Sequence, residues 1–283
     1  MTPGMTISRT SFELIESAFK LPIATLPAFV LVSGVCSENI THDPKTGAIN
    51  RLSIVVKANQ KVEIANYLLS LTHDFVTGWT TAFICGDGVI QLRGCDRTYG
   101  SQLLQIVDLV KSSTGLSTHP LFLPTALLHV YYQRTAKRTR TLEYQLIELE
   151  NELGVTFAGG AGLNLDEPQE NWPEYIDVKK STIGLHSTMP QIIFMQRVCE
   201  WARGYVNFIL KLEEKISKDS TLKIDDTLSR ELREAIMFVA SSLEAIHGFF
   251  RTLQERAQTQ LGVVSLSLLL RNLNVALTYH EAI

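Results

Sequence analysis

The sequence predicts an α+β protein, with an N-terminal α/β layer domain followed by long antiparallel helices, the last of them stalk-like. Three observations predict it. Residues 1–115 carry short apolar runs of both helical and strand period, separated by turn signals. Residues 116–283 read almost entirely as helix. From Asp225 to the end there is no proline, and Leu228, Leu232, Ile236, Val239, Leu243, Ile246, Phe250 and Leu253 recur every three or four residues. That spacing draws one apolar stripe along a helix. The reading gives a head over 1–115 and a long-helix region over 116–283, with helices at about 125–153, 190–218 and 225–283.

In chain order, Thr10 and Glu13 have the spacing of a capping box and start a short helix to Phe19, which Pro22 and Pro27 end. The valine-rich run Ala28–Cys36 reads as a buried strand, and Arg51–Lys57 as another. Asn59 is a candidate cap for a helix to Thr77, with Val62, Ala65, Leu68, Leu69 and Phe75 inward and Gly78 as its stop. Thr80–Ile84 and Val89–Arg93 flank Cys85-Gly-Asp-Gly88, a hairpin signal because glycine accepts positive φ. Ser101–Lys111 reads as a short helix. Pro120 and Pro124 lead into the helix over 125–153, whose middle is polar and basic. Gly154–Gly184 is a break rich in glycine, proline and acids, and the helix from Pro190 to Lys218 follows. Asp225 or Asp226 supplies the carboxylate that caps the last helix.

The chain has 283 residues and a net charge of −3, which argues against nucleic acid, whose phosphates call for a basic excess. Four cysteines without a CxxC pair fit free thiols in a reducing, cytoplasmic compartment. The N-terminus carries no signal-peptide pattern. The most apolar stretch, Leu261-Gly-Val-Val-Ser-Leu-Ser-Leu-Leu-Leu270, is about half the roughly 20 residues a membrane helix needs, so no membrane span is expected. A surface helix has no reason to be apolar all round. Leu261, Val263, Val264, Leu266, Leu268, Leu269 and Leu270 are therefore expected to lie against a protein partner, with homo-oligomerisation the first possibility.

Little in the sequence carries a reaction. Gly159-Gly-Ala-Gly162 lacks the spacing and the preceding strand of a phosphate loop. The seven histidines are dispersed, with no HxxxH, and Gly86-Asp87-Gly88 reads as a turn rather than a metal site. His73 beside Asp74 suggests acid–base work, but a polar helix end is the simpler reading. Cys85 and Cys95 lie on opposite arms of the expected hairpin, where two thiols are favoured over a disulfide. Arg134, Lys137, Arg138 and Arg140 read as a solvated helix face.

Several segments together carry a family resemblance. They are Thr10-Ser-Phe-Glu-Leu-Ile-Glu16, Ser53-Ile-Val-Val-Lys-Ala-Asn-Gln-Lys61, Thr118-His-Pro-Leu-Phe-Leu-Pro124, Leu253-Gln-Glu-Arg-Ala-Gln-Thr-Gln-Leu-Gly-Val-Val264 and Asn272-Leu-Asn274. In this order, with the long helix last, the chain resembles the cytoplasmic part of fungal CorA-like proteins. That superfamily carries Mg2+ and related divalent cations across membranes and includes the ZntB-type transporters. The resemblance implies an α/β/α head, two antiparallel helices and a stalk helix feeding a pore, in homopentamers with the stalks inward. The pore signature Gly-Met-Asn is absent, and the given sequence stops about where such a stalk enters the membrane. No pore residue and no metal site carries over. The resulting expectation is a non-enzymatic cytoplasmic domain that self-associates or binds a CorA-like membrane protein, with Mg2+ possible only through the resemblance. The alternatives are a fragment of a full divalent-cation transporter, or a small α/β enzyme with His73, Asp74, Asp87 and Asp96 as raw material.

Overall fold

The computed structural model describes residues 8–31, 33–59, 64–86, 108–113, 115–153, 178–222 and 224–281. The order is α1 (Arg9–Phe19), α2 (Thr25–Val30), β1 (Val35–His42), β2 (Ile49–Asn59), β3 (Asn66–Asp74), β4 (Trp79–Gly86), then α3 (Phe122–Glu152), α4 (Val178–Ser217) and α5 (Asp226–Glu281). The expected α+β architecture is present, a sheet first and long helices after it. The chain forms two compact units, Met1–Thr135 with Glu200–Leu243, and Ala136–Cys199 with Glu244–Ile283.

In the first unit the strands form an antiparallel meander, β1-β2-β3-β4. The helix expected over 59–77 is instead β3. Its residues Tyr67–His73 are all buried, because β3 is flanked by β2 and β4 and covered on both faces. Such a strand shows no alternation, and its apolar run mimics the inward face of a helix. Gly78 does end the segment, but as the turn of the β3–β4 hairpin, with φ of 71°. Asp74 Oδ1 holds that turn by accepting from the Val76 and Thr77 N–H groups, both at 3.0 Å. This hairpin precedes the one expected at Cys85–Gly88. Thr80–Ile84 belongs to β4, and the arm Val89–Arg93 lies outside the described residues.

Ala28–Cys36 is not one strand. Thr25–Val30 is helical, opened by a turn in which the Thr25 N–H and hydroxyl both donate to the Pro22 carbonyl. Pro27 is tolerated because it falls in the first turn, where its missing N–H is not needed. The Lys57 ammonium donates to the Phe29 carbonyl at 2.8 Å and to the Leu31 carbonyl, closing the helix end. The cap of α1 is Ser8 rather than Thr10, its Oγ accepting from the Ser11 N–H at 3.1 Å. Glu13 pairs with Arg9 instead.

One sheet face packs on α1 and α2. Ala28 meets Val55 and Leu68, Phe12 meets Phe83 edge-on, and the Thr25 and Ser70 hydroxyls bond at 2.7 Å. Leu52, Ile54, Val56, Leu69 and Leu71 point the other way and are fully enclosed. On that second face Tyr67 meets Tyr205 of α4, whose hydroxyl donates to the Pro124 carbonyl at 2.9 Å.

α3 begins at Phe122, ahead of Pro124, which sits harmlessly in its first turn. α4 reaches back to Val178 and carries Pro190 inside it, so the break before it ends earlier than expected. In the second unit α3 and α4 run antiparallel, since Arg138 bonds Gln191 while Glu152 pairs with Lys180. They approach so closely at Gly184 that a methyl group there would stand 2.5 Å from Leu149 Cδ2. Of the helix expected over 101–111 only residues 108–111 are described, and they are helical.

Candidate functional site

α5 is a single unbroken helix of 56 residues. Asp225 caps it, Oδ1 accepting from the Thr227 N–H at 2.8 Å, as its place in the sequence suggested. Leu232, Ile236, Val239, Leu243, Phe250 and Leu253 are all buried, while Leu228 and Ile246 are half-buried. The stripe therefore belongs to the fold.

Within the second unit, the stripe continues as Leu253, Ala257, Gln260 and Val264, all buried. Of the residues expected to bind a partner, Val264 is thus already enclosed, and Leu261 and Val263 are half-covered. Leu266, Leu268 and Leu269 behave differently and are 58%, 41% and 60% exposed. The side chain of Leu270 lies outside the described residues. The segment has an inner face occupied by its own unit and leucines left outside. Just before it, the buried Glu150 and the half-buried Arg256 form a two-point ion pair, Oε1 to Nε at 3.0 Å and Oε2 to Nη2 at 2.5 Å. The Gln260 amide, one turn on, is fully buried without a hydrogen-bond partner among the described residues.

A second feature lies in the first unit. A groove of about 640 Å³ opens between the β3–β4 turn, the residues ahead of α3 and the residues ahead of α5. Ile49, Phe75, Pro120, Leu222, Ile224 and Leu228 supply apolar wall, and His73 and His119 lie together at it. His119 Nδ1 accepts from the Leu121 N–H at 3.2 Å, so the ring proton sits on Nε2, which donates to Ser229 Oγ at 3.3 Å. His73 Nδ1 pairs with Thr80 Oγ1 at 2.8 Å. Burial pushes His73 down to about 4, against a small opposing pull from Asp74. Burial, helped by the neighbouring His73, pushes His119 down to about 4 as well.

Both imidazoles are neutral in the folded chain near pH 7, whereas the unfolded chain protonates them near the ordinary 6.5. Their contribution is complete above pH 6.5 and is lost as pH falls toward 4, because the unfolded state then binds more protons. By pH 5 each histidine is expected to cost about 2 kcal/mol. The check is urea unfolding from pH 7.5 to 4.5, where His119→Asn should flatten the slope. A slope unchanged by that substitution would contradict the assignment.

The acid–base pairing of His73 with Asp74 does not form. Asp74 is committed to its turn and to Arg51 at 3.8 Å. Asp87, Asp96, Cys95 and Gly159–Gly162 lie outside the described residues. Burial pushes the Cys36 thiol up to about 12, leaving it protonated and unreactive. Among the described residues, no group of three or more His, Cys, Asp or Glu side chains could hold a metal ion. No described helix is long and apolar enough to cross a membrane. The pairing of His73 with His119 escaped the sequence reading, since only the fold brings β3 against the start of α3. The one local signal was a histidine just before a helix start, where a side-chain acceptor is useful.

The sequence matches no protein-family model, and no curated protein matches it at a significant level.

Proposed function

We propose that this chain is a non-enzymatic domain of the CorA-like type whose long C-terminal helix associates with further copies of itself. The observation that supports the reading most is the division of α5 beyond Gln260. One face is packed within its own unit at Val264, while Leu266, Leu268 and Leu269 stand exposed on a continuous helix. Leu266 and Leu269, three residues apart, share one helix face with Leu268 beside them, an exposed apolar surface of the kind that marks an interaction site. A second copy is the simplest occupant, because a two-fold contact between identical helices covers the same leucines on both. The order of the elements, sheet first and longest helix last, is the order the resemblance implies. A role beside divalent-cation transport rests on that resemblance alone. Mg2+ in this reading is the cargo of a related pore.

The test is the double substitution Leu266→Glu/Leu269→Glu, followed by light scattering on the purified chain. Both residues are exposed, so unfolding free energy should change by less than about 0.5 kcal/mol. The unsubstituted chain is expected to associate at micromolar concentration and the variant to remain monomeric. Equal association of both would refute the assigned face. If neither associates, while only the unsubstituted chain binds a CorA-like membrane protein, the partner is that relative and self-association is wrong.

A further inference from the structure

The groove beside His73 and His119 has a chemistry that the helix-association reading does not use. Its hydroxyl protons are already committed inside the protein. Thr118 Oγ1 donates to the Gly115 carbonyl at 2.9 Å, and Thr221 Oγ1 donates to Asp219 Oδ1 at 2.5 Å. Asp225 gives Oδ1 to the Thr227 N–H, and its second oxygen has no protein partner among the described residues. What the polar rim offers is therefore lone pairs. Among the described lining residues, Asp225 alone carries a formal charge at pH 7, because both histidines are neutral.

Two helices start nearby, and their positive ends could instead favour an anion. The start of α3 has few donors left. The Leu121 and Phe122 N–H groups go to His119 Nδ1 and to the His119 carbonyl, and Pro124 has none. At α5 a full negative charge on Asp225 opposes a half-charge of helix dipole. The remaining wall is apolar and includes Phe75. The volume lies within the range of small-molecule pockets.

We infer that the groove bounded by Phe75, Thr118, Thr221, Asp225 and Leu228 binds a small organic cation, an ammonium or guanidinium group on an apolar body. The apolar body lies along Phe75, Leu222 and Leu228, and the head donates to Asp225 and the threonine oxygens. Asp225 is exposed, so the charge contributes selectivity more than affinity.

The experiment titrates the full chain at pH 7.5 with three molecules of matched shape, phenethylammonium, phenethyl alcohol and hydrocinnamate, followed by heteronuclear NMR. The ammonium is expected to bind about threefold more tightly than the alcohol, with the carboxylate weakest and shifts confined to residues 73–78, 118–121 and 221–229. Asp225→Asn keeps the helix cap, since asparagine caps as well as aspartate, and should equalise ammonium and alcohol. Asp226→Asn, one residue away and outside the lining, should leave the preference intact. The inference is overturned by carboxylate binding as tight as ammonium, by a preference that survives Asp225→Asn, by shifts outside the groove, or by no saturation with any of the three. None of these outcomes bears on the association of α5, which is read from mass rather than from these resonances.

Discussion

Leu243→Asp is expected to destabilise the protein by about 5 kcal/mol, because it exchanges a fully enclosed leucine for a carboxylate with no partner. Loss of the buried leucine accounts for about 2–3 kcal/mol of this, and the stranded polar group for the rest. A domain of ordinary stability, about 5–15 kcal/mol, would lose much of its margin. Two companion substitutions keep the result interpretable. Leu243→Met conserves volume and should cost less than about 1.5 kcal/mol. Met237→Asp, on the same helix but 48% exposed, should cost only about 0.5 kcal/mol, mostly helix propensity. Urea unfolding of the three variants measures this. Comparable losses for Leu243→Asp and Met237→Asp would show that the stripe from Leu232 to Leu253 does not face the core.

Arg256→Ala is expected to cost about 3–5 kcal/mol, the effect of removing one member of a buried ion pair. The guanidinium makes two bonds to Glu150, which is 2% exposed and has little access to water once it is gone. Glu150→Gln/Arg256→Met removes both charges and should be far less damaging than Arg256→Ala, because no charge is left stranded. The bond to Glu150 also holds the Arg256 guanidinium above its ordinary range. If the double substitution proved as costly as Arg256→Ala, the penalty would lie in packing and not in the uncompensated carboxylate.

The long helices were legible because each carries a repeated apolar stripe with polar residues between, and because α5 has no proline to interrupt it. Their starts were less legible. Pro124 and Pro190 read as boundaries, yet the first falls in an opening turn and the second inside α4. The head was harder to read for a physical reason. A strand buried on both faces shows no period of two, so Tyr67–Leu71 passed for the inner face of a helix. The short helix Thr25–Val30 was hidden by valine-rich composition, since its helicity rests on a turn at Pro22 and on the distant Lys57. The apolar character of Leu261–Leu269 was plain in sequence. Its division into a packed face and exposed leucines was not, because this depends on which side of the segment faces the rest of the second unit. The groove was invisible, because His73 and His119 belong to separate elements and neither lies in a recognisable motif.

Sedimentation velocity of the full chain over a rising micromolar series tests the central claim most directly, that exposed leucines of α5 associate with further copies. The weight-average mass is expected to climb above the 31.6 kDa of one chain as concentration increases. A mass fixed at that of a single chain across the whole series would contradict it.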